Sequence, residues 1–270
     1  MVELRIVDPA VAGSIPVTHP KFESWLEALE ARQTADLRFS EVTRALRALS
    51  SAYVERRTTA LAEHRALDGA GKRAAFALYY GPLHFLLVQA IARVVAPAVR
   101  SGLVVDLGCG TGVAGAAIAS VTTPPSRVLA LDTHPWTLEE ARFTYRAFSL
   151  DADIRRQHAT QARIPRDASF VVAAFVVNEL KEEDRRAMLE TLLTAAARGV
   201  HVLVIEPISH RVSPWWPEWT AAFLRIGGRA DEWRIPIELP PIVKRLARAT
   251  GLRPEVLTAR SLFLGLPFKG

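Results

Sequence analysis

Between residues 101 and 206 the chain alternates short apolar runs with stretches of helical spacing. Strands are predicted at 103–107, 128–131, 153–157, 170–177 and 200–205, and helices at 113–120, 137–150 and 182–197. The strands are apolar on both faces, the pattern of a parallel sheet covered by helices. The expected fold class is therefore α/β, a doubly wound and mostly parallel sheet. Ligands of such sheets bind beyond the carboxyl ends of the strands. Asp106, Asp132, Asn178, Glu179 and Glu206 all fall at such ends.

The flanks read differently. Residues 1–20 hold Pro9, Gly13, Pro16 and Pro20 and suggest an extended arm. From Lys21 to about residue 100 the spacing is helical. Phe22, Trp25, Leu26 and Leu29 share a face, and Val42, Leu46, Leu49 and Tyr53 form a second stripe. Gly69–Gly71 breaks the pattern, and Pro82 sits where a first helical turn tolerates it. This predicts a helical N-terminal domain over 21–100 and a catalytic domain over 101–270. Residues 207–238 carry four prolines and Trp215, Trp216, Trp219 and Trp233. They suggest a cap inserted over the sheet, its indoles either lining a substrate pocket or packing the cap down. A helix with a basic face (Lys244, Arg245, Arg248) is expected at 239–249, and a closing strand at 256–264.

The chemistry concentrates where the first of these central strands ends. Val104–Gly115 reads Val-Val-Asp-Leu-Gly-Cys-Gly-Thr-Gly-Val-Ala-Gly. Gly108, Gly110 and Gly112 alternate between a strand and a helix start, where glycine permits positive φ and close approach to a ligand. Gly110, Gly112 and Gly115 also fit the dinucleotide fingerprint. A pyrophosphate at a helix N-terminus favours surrounding positive charge. Asp106 is a poor neighbour for it and suits the ammonium and sulfonium of S-adenosylmethionine. The Asp-x-Gly-x-Gly-x-Gly spacing is similar to motif I of class I methyltransferases. Asp132, about 20 residues on and with Thr133 beside it, is placed to accept hydrogen bonds from a ribose, which both cofactors possess. Thr160 and Gln161 are expected near adenine.

From about residue 42 the chain resembles the ribosomal small-subunit methyltransferase-like family of ribosome assembly factors. The resemblance rests on Leu-Ser-Ser-Ala-Tyr-Val-Glu-Arg-Arg (49–57), Ala-Phe-Ala-Leu-Tyr-Tyr-Gly-Pro (75–82), the glycine motif, Val-Val-Asn-Glu-Leu (176–180) and Val-Ile-Glu-Pro (204–207). It implies that Tyr79 and Tyr80 close over the cofactor side of the site, Tyr80 towards the cofactor and Tyr79 towards the substrate. The iron–sulfur cysteines of many members are missing; the chain has one cysteine, Cys109. That departure leaves a small-molecule enzyme as the first expectation. Ribosomal RNA or a ribosomal particle is the alternative, and a non-catalytic assembly factor the second alternative.

Methyl transfer is an in-line displacement in which the cofactor supplies the reactivity and the protein aligns the partners. A base is needed only for a protonated nucleophile. Glu179, Glu206 and His210 are the candidates for that role; Asn178 is expected to border the cofactor. Glu179 would otherwise cap the helix beginning near Glu182. Cys109 alone excludes an intramolecular disulfide and a multi-cysteine metal site, and no metal is expected. The 270 residues carry a net charge of +6 and a pI of about 9.9, almost all of the positive charge from arginine. This hints only weakly at nucleic acid. The N-terminus lacks the pattern of a secretion signal. The apolar stretch 82–95 contains His84, Gln89 and Arg93 and reads as too short and too polar to span a membrane. A cytoplasmic protein without membrane contact is expected.

Overall fold

The computed structural model describes residues 5–7, 20–55, 67–96, 101–122, 124–209 and 213–265. The central strands are β2 (Leu103–Leu107), β3 (Arg127–Asp132), β4 (Ala152–Arg156), β5 (Ala168–Ala174) and β6 (His201–Glu206), all parallel. Between them run α5 (Val113–Ser120), α6 (Pro135–Ala147) and α7 (Glu182–Ala197). Two further strands, β7 (Arg229–Pro236) and β8 (Val256–Leu264), form an antiparallel pair, with β8 inserted antiparallel beside β6. β1 (Arg5–Val7) lies parallel to β7 at the edge, so part of the expected N-terminal arm is an eighth strand. The sheet order is β1-β7-β8-β6-β5-β2-β3-β4. The chain winds from β2 to β3 and β4, then returns to β5 on the other side of β2. That reversal opens a crevice beyond the carboxyl ends of β2 and β5.

One face of the sheet is covered by α5, α6 and the upstream helices. These are α1 (Phe22–Gln33), α2 (Phe39–Glu55), α3 (Ala70–Ala75), a π-helical turn at Phe76–Tyr80, and α4 (Gly81–Val95). They share one core with the sheet: Trp25 packs on Phe22, Phe85 and Phe148, and Phe85 stacks on Phe148 at 4.9 Å. The helical segment therefore completes a layer and does not enclose a core of its own. Its last part, Ala70–Val95, is one continuous helical run of 26 residues. Its length and apolarity would allow it to cross a membrane, but 83% of its apolar window is buried inside the fold. Pro82 falls in the first turn of α4, as the sequence suggested, and that turn continues without a break from the π turn before it. Its ring and missing N–H conflict with an α-helical bond to residue 78, and the preceding turn widens to π geometry.

The other face is covered by α7 and α8 (Trp216–Arg225). Here the expectation of a cap over 207–238 is corrected. α8 and β7 belong to the main layers, and the indoles of Trp215, Trp216, Trp219 and Trp233 are only 7%, 3%, 1% and 1% exposed. Trp219 lies edge-on to Trp215 at 4.8 Å, and the Trp233 indole N–H donates to Ser261 Oγ at 2.8 Å. These four side chains build the core, the packing role that the sequence left open beside a substrate-lining one, and the substrate-lining role is withdrawn. A last helix, α9 (Pro241–Thr250), packs on α2 and the π turn.

Candidate active site

The loop after β2 is shaped by its glycines. Gly108, Gly110 and Gly112 have φ of +66°, +51° and +79°. The positions differ in what surrounds them. A Cβ on Gly108 would lie 2.8 Å from Val176 Cβ, and one on Gly112 would lie 3.0 Å from Tyr145 and from the Ala141 backbone. A Cβ on Gly110 would meet no atom of the described residues within 4 Å. Two glycines thus serve packing, and the third faces open space in the crevice, where a ligand can approach the backbone.

Two carboxylates hold this loop. Asp106 is 1% exposed; its Oδ2 accepts from the Gly115 N–H at 2.7 Å and the Tyr145 hydroxyl at 3.0 Å. Its Oδ1 is buried without a hydrogen-bond partner among the described residues. Burial pushes the carboxyl up to about 7, opposed by those two bonds. An orphaned carboxylate oxygen and an open glycine fit the cationic amino-acid end of S-adenosylmethionine. Asp132, at the end of β3, accepts the Gly110 N–H at 2.9 Å on Oδ2. Its Oδ1 accepts the His134 N–H and the Thr137 hydroxyl at the start of α6. It ties glycine loop to helix while keeping lone-pair capacity, which fits a ribose diol. Thr133 follows it, its carbonyl accepting from Arg156 Nε at 3.1 Å. Thr160 and Gln161 lie in a short turn (Ala159–Gln161) after β4. The Thr160 hydroxyl pairs with His158 Nδ1 at 2.7 Å, and the Gln161 side chain is exposed. Cys109 is buried and its N–H donates to Leu131, so the thiol is part of the loop's packing.

Beyond β5 the structure changes the roles foreseen. Glu206 is fully buried. Its Oε1 accepts the N–H groups of Val177 and Asn178, at 2.8 and 3.3 Å, and its Oε2 accepts Asn178 Nδ2 at 2.7 Å. A carboxylate holding three donors is an anchor for the turn Val177–Glu179, and its expected role as base is corrected to positioning. Asn178 passes the connection on: its Oδ1 accepts the Ser213 hydroxyl at 2.6 Å and the Trp215 indole N–H at 2.9 Å. Glu179 is exposed on the same turn. His210 lies outside the described residues.

Tyr79 and Tyr80 sit in the π turn, which abuts the glycine loop: a Cβ on Gly81 would lie 4.0 Å from Thr111 Oγ1. Tyr79 is buried; desolvation, then Tyr80 and Glu255, push its hydroxyl well up. Burial pushes Tyr80 up to about 12. Two residues at this site escaped the sequence reading. His84, one turn into α4, stacks on Phe175 with centroids 4.1 Å apart and planes at 20°. Phe175 has φ of +60°, a strained conformation for a residue with a side chain. The sequence signal was faint: an aromatic run broken by Gly81-Pro82, with a histidine in the next turn.

Grooves of about 540 Å³ (Ile237 to Glu255) and about 480 Å³ (Ala162 to Arg198) lie elsewhere on the surface and touch neither carboxylate nor glycine loop. The glycine loop and both carboxylates lie together at the crevice.

Sheet order, glycine loop and carboxylates together define a class I methyltransferase fold. Residues 104–199 match the family model described as a methyltransferase domain. Solved structures agree in fold. The mitomycin 7-O-methyltransferase MmcR is similar at 17% identity, covering 95% of this chain and 74% of that one, with a TM-score of 0.51. A candidate O-methyltransferase from Nostoc punctiforme PCC 73102 is 16% identical over 90% of this chain and 71% of that one, TM-score 0.52. The N-methyltransferase NodS from Bradyrhizobium japonicum WM9, solved with S-adenosyl-L-homocysteine, is 13% identical over 68% of this chain and 88% of that one, TM-score 0.48. No curated protein matches the sequence. The chain carries a methyltransferase domain and is an S-adenosylmethionine-dependent methyltransferase. The comparisons lend no support to the ribosomal small-subunit methyltransferase-like resemblance.

Proposed function

We propose that this enzyme methylates a small-molecule acceptor bound in the crevice between the glycine loop, the end of β5 and the π turn. The observation that carries the reading is the character of that crevice. Tyr80, His84 and Phe175 form an aromatic cluster on its π-turn side, whereas phosphate-rich RNA is held by clustered cations. On the basic face of α9, Lys244 and Arg248 line the separate groove between Ile237 and Glu255. Arg245 pairs with Glu30 and lies 5.8 Å over the Phe39 ring, so it packs the helical layer.

Bound S-adenosylmethionine supplies an electrophilic methyl on a sulfonium: the acceptor heteroatom bonds to the methyl carbon as the carbon–sulfur bond breaks, its electron pair staying on sulfur. Asp132 with Thr133 would hold the ribose, Asp106 and the Gly108–Gly112 backbone the amino-acid end, and Thr160 with Gln161 the adenine. Tyr80 would cover the cofactor, and Asn178 would fix the turn beside it. Glu179 would orient a protonated acceptor or take its proton. Incubation of lysate with enzyme and methyl-labelled cofactor, followed by separation into RNA, protein and small molecules, tests the reading. Label is expected in the small-molecule fraction; label in ribosomal RNA alone would overturn it, and transfer to no fraction would favour a binding role.

A further inference from the structure

The His84–Phe175 pair sits at the edge of the core, half-buried, and one of its members carries a backbone cost. Gly81, at the start of α4, lies against Thr111 and Val113 at the glycine loop, and His84 follows one turn later. Val176 packs on Gly108 from the other side, which brings Phe175 to the mouth of the crevice. Phe175 occupies the left-handed region at φ +60°, which costs a residue with a side chain about 1–2 kcal/mol. Its aromatic contact is the imidazole of His84, and Tyr80 flanks that imidazole at 6.0 Å. Both residues of the pair are half-buried. Among the described residues no hydrogen bond occupies either imidazole nitrogen. Strained residues held by their surroundings cluster at ligand sites, and π-helical turns such as Phe76–Tyr80 do the same.

The rings of His84 and Tyr80 are also neutral. Burial pushes His84 down to about 4 and Tyr80 up to about 12, so both are uncharged across the ordinary pH range. An ionic acceptor group set against them would lose hydration without gaining a counter-charge. An aliphatic polyol would leave the ring surfaces unmatched. A flat ring with one hydroxyl satisfies both, by edge or offset contact with the aromatic walls and one hydrogen bond to an imidazole nitrogen.

We propose that His84, braced by Phe175 and flanked by Tyr80, recognises the methyl acceptor, and that this acceptor is a neutral aromatic molecule whose ring hydroxyl donates a hydrogen bond to the imidazole. The inference rests on the methyl-transfer reading of the crevice. It therefore begins with protein saturated with S-adenosylhomocysteine, whose binding is measured first. NMR titration then compares 4-methylphenol, toluene and cyclohexanol as probes. The wild type should bind 4-methylphenol about fivefold more tightly than toluene, the value of roughly one net hydrogen bond, and both more tightly than cyclohexanol. His84→Phe should abolish the preference for 4-methylphenol over toluene and leave S-adenosylhomocysteine affinity unchanged. His84→Gln, which keeps a hydrogen-bonding group, should retain part of it. Phe175→Leu should weaken both aromatic probes. Equal binding of the three probes by the wild type, or an undiminished preference in His84→Phe, overturns the proposal. Failure of the wild type to bind S-adenosylhomocysteine overturns the methyl-transfer reading itself.

Discussion

Alanine at Gly110 and at Gly108 separates ligand binding from folding within one loop. Both residues have positive φ, so each alanine pays about 1–2 kcal/mol for the left-handed backbone. In a chain of this size that lowers the melting temperature by roughly 2–8 °C. Gly110→Ala should cost no more, because its methyl meets no atom of the described residues within 4 Å. Gly108→Ala drives a methyl against Val176, 2.8 Å from its Cβ, and overpacking of this kind adds about 1–3 kcal/mol. Binding should rank the other way. The Gly110→Ala methyl enters the space assigned to the ligand, and affinity for S-adenosylhomocysteine should fall at least tenfold, the equivalent of about 1.4 kcal/mol. Thermal melts with and without S-adenosylhomocysteine, plus calorimetric titration, read both quantities. Unchanged affinity in Gly110→Ala, or equal melting of the two variants, would refute the division of labour among the glycines.

Three further outcomes follow from the same geometry. Trp219→Ala should lose about 3–5 kcal/mol in a chemical denaturation curve, while the folded fraction binds S-adenosylhomocysteine as before; a selective binding defect would restore the indole to the site. Asp106 carries a carboxyl raised from 3.8 to about 7, so the folded state holds a proton that the unfolded chain releases. Its contribution to stability is full below about pH 4 and lost as pH rises through 7. Wild type should therefore lose stability relative to Asp106→Asn over that window, and parallel melting profiles would refute the raised value. Glu206→Gln turns one acceptor into a donor among three facing donors, costing about 1–3 kcal/mol. Methyl transfer should slow while cofactor affinity holds, and an unaffected rate would remove the turn from the mechanism.

Much of the central block was legible because its signals are local. Apolar runs bounded by Asp106, Asp132 and Glu206 marked strands and their carboxyl ends, and the alternating glycines marked the loop. β7 escaped because Asp231, Glu232 and Arg234 interrupt its apolar pattern and Pro236 ends it. In the fold Asp231 is buried and paired with Arg229 at 2.7 Å, so the charge belongs to the interior. The tryptophans misled for a related reason. Indoles with a hydrogen-bond partner pack in a core as well as they line a pocket, and only the sheet order places Trp233 opposite Ala259 on β8. Glu206 was found as a strand end, but its donors come from a turn distant in sequence. The His84–Phe175 stack joins α4 to the end of β5, a pairing no local pattern announces.

A crystal structure of the protein with S-adenosylhomocysteine measures the crevice directly. The predicted result has the ribose hydroxyls within hydrogen-bond distance of Asp132, the amino-acid end along Gly108–Gly112 towards Asp106, and the sulfur facing the Phe175–Asn178 end of β5. A ligand seated in the groove between Ile237 and Glu255, or bound with Asp132 out of reach of its ribose, would contradict it.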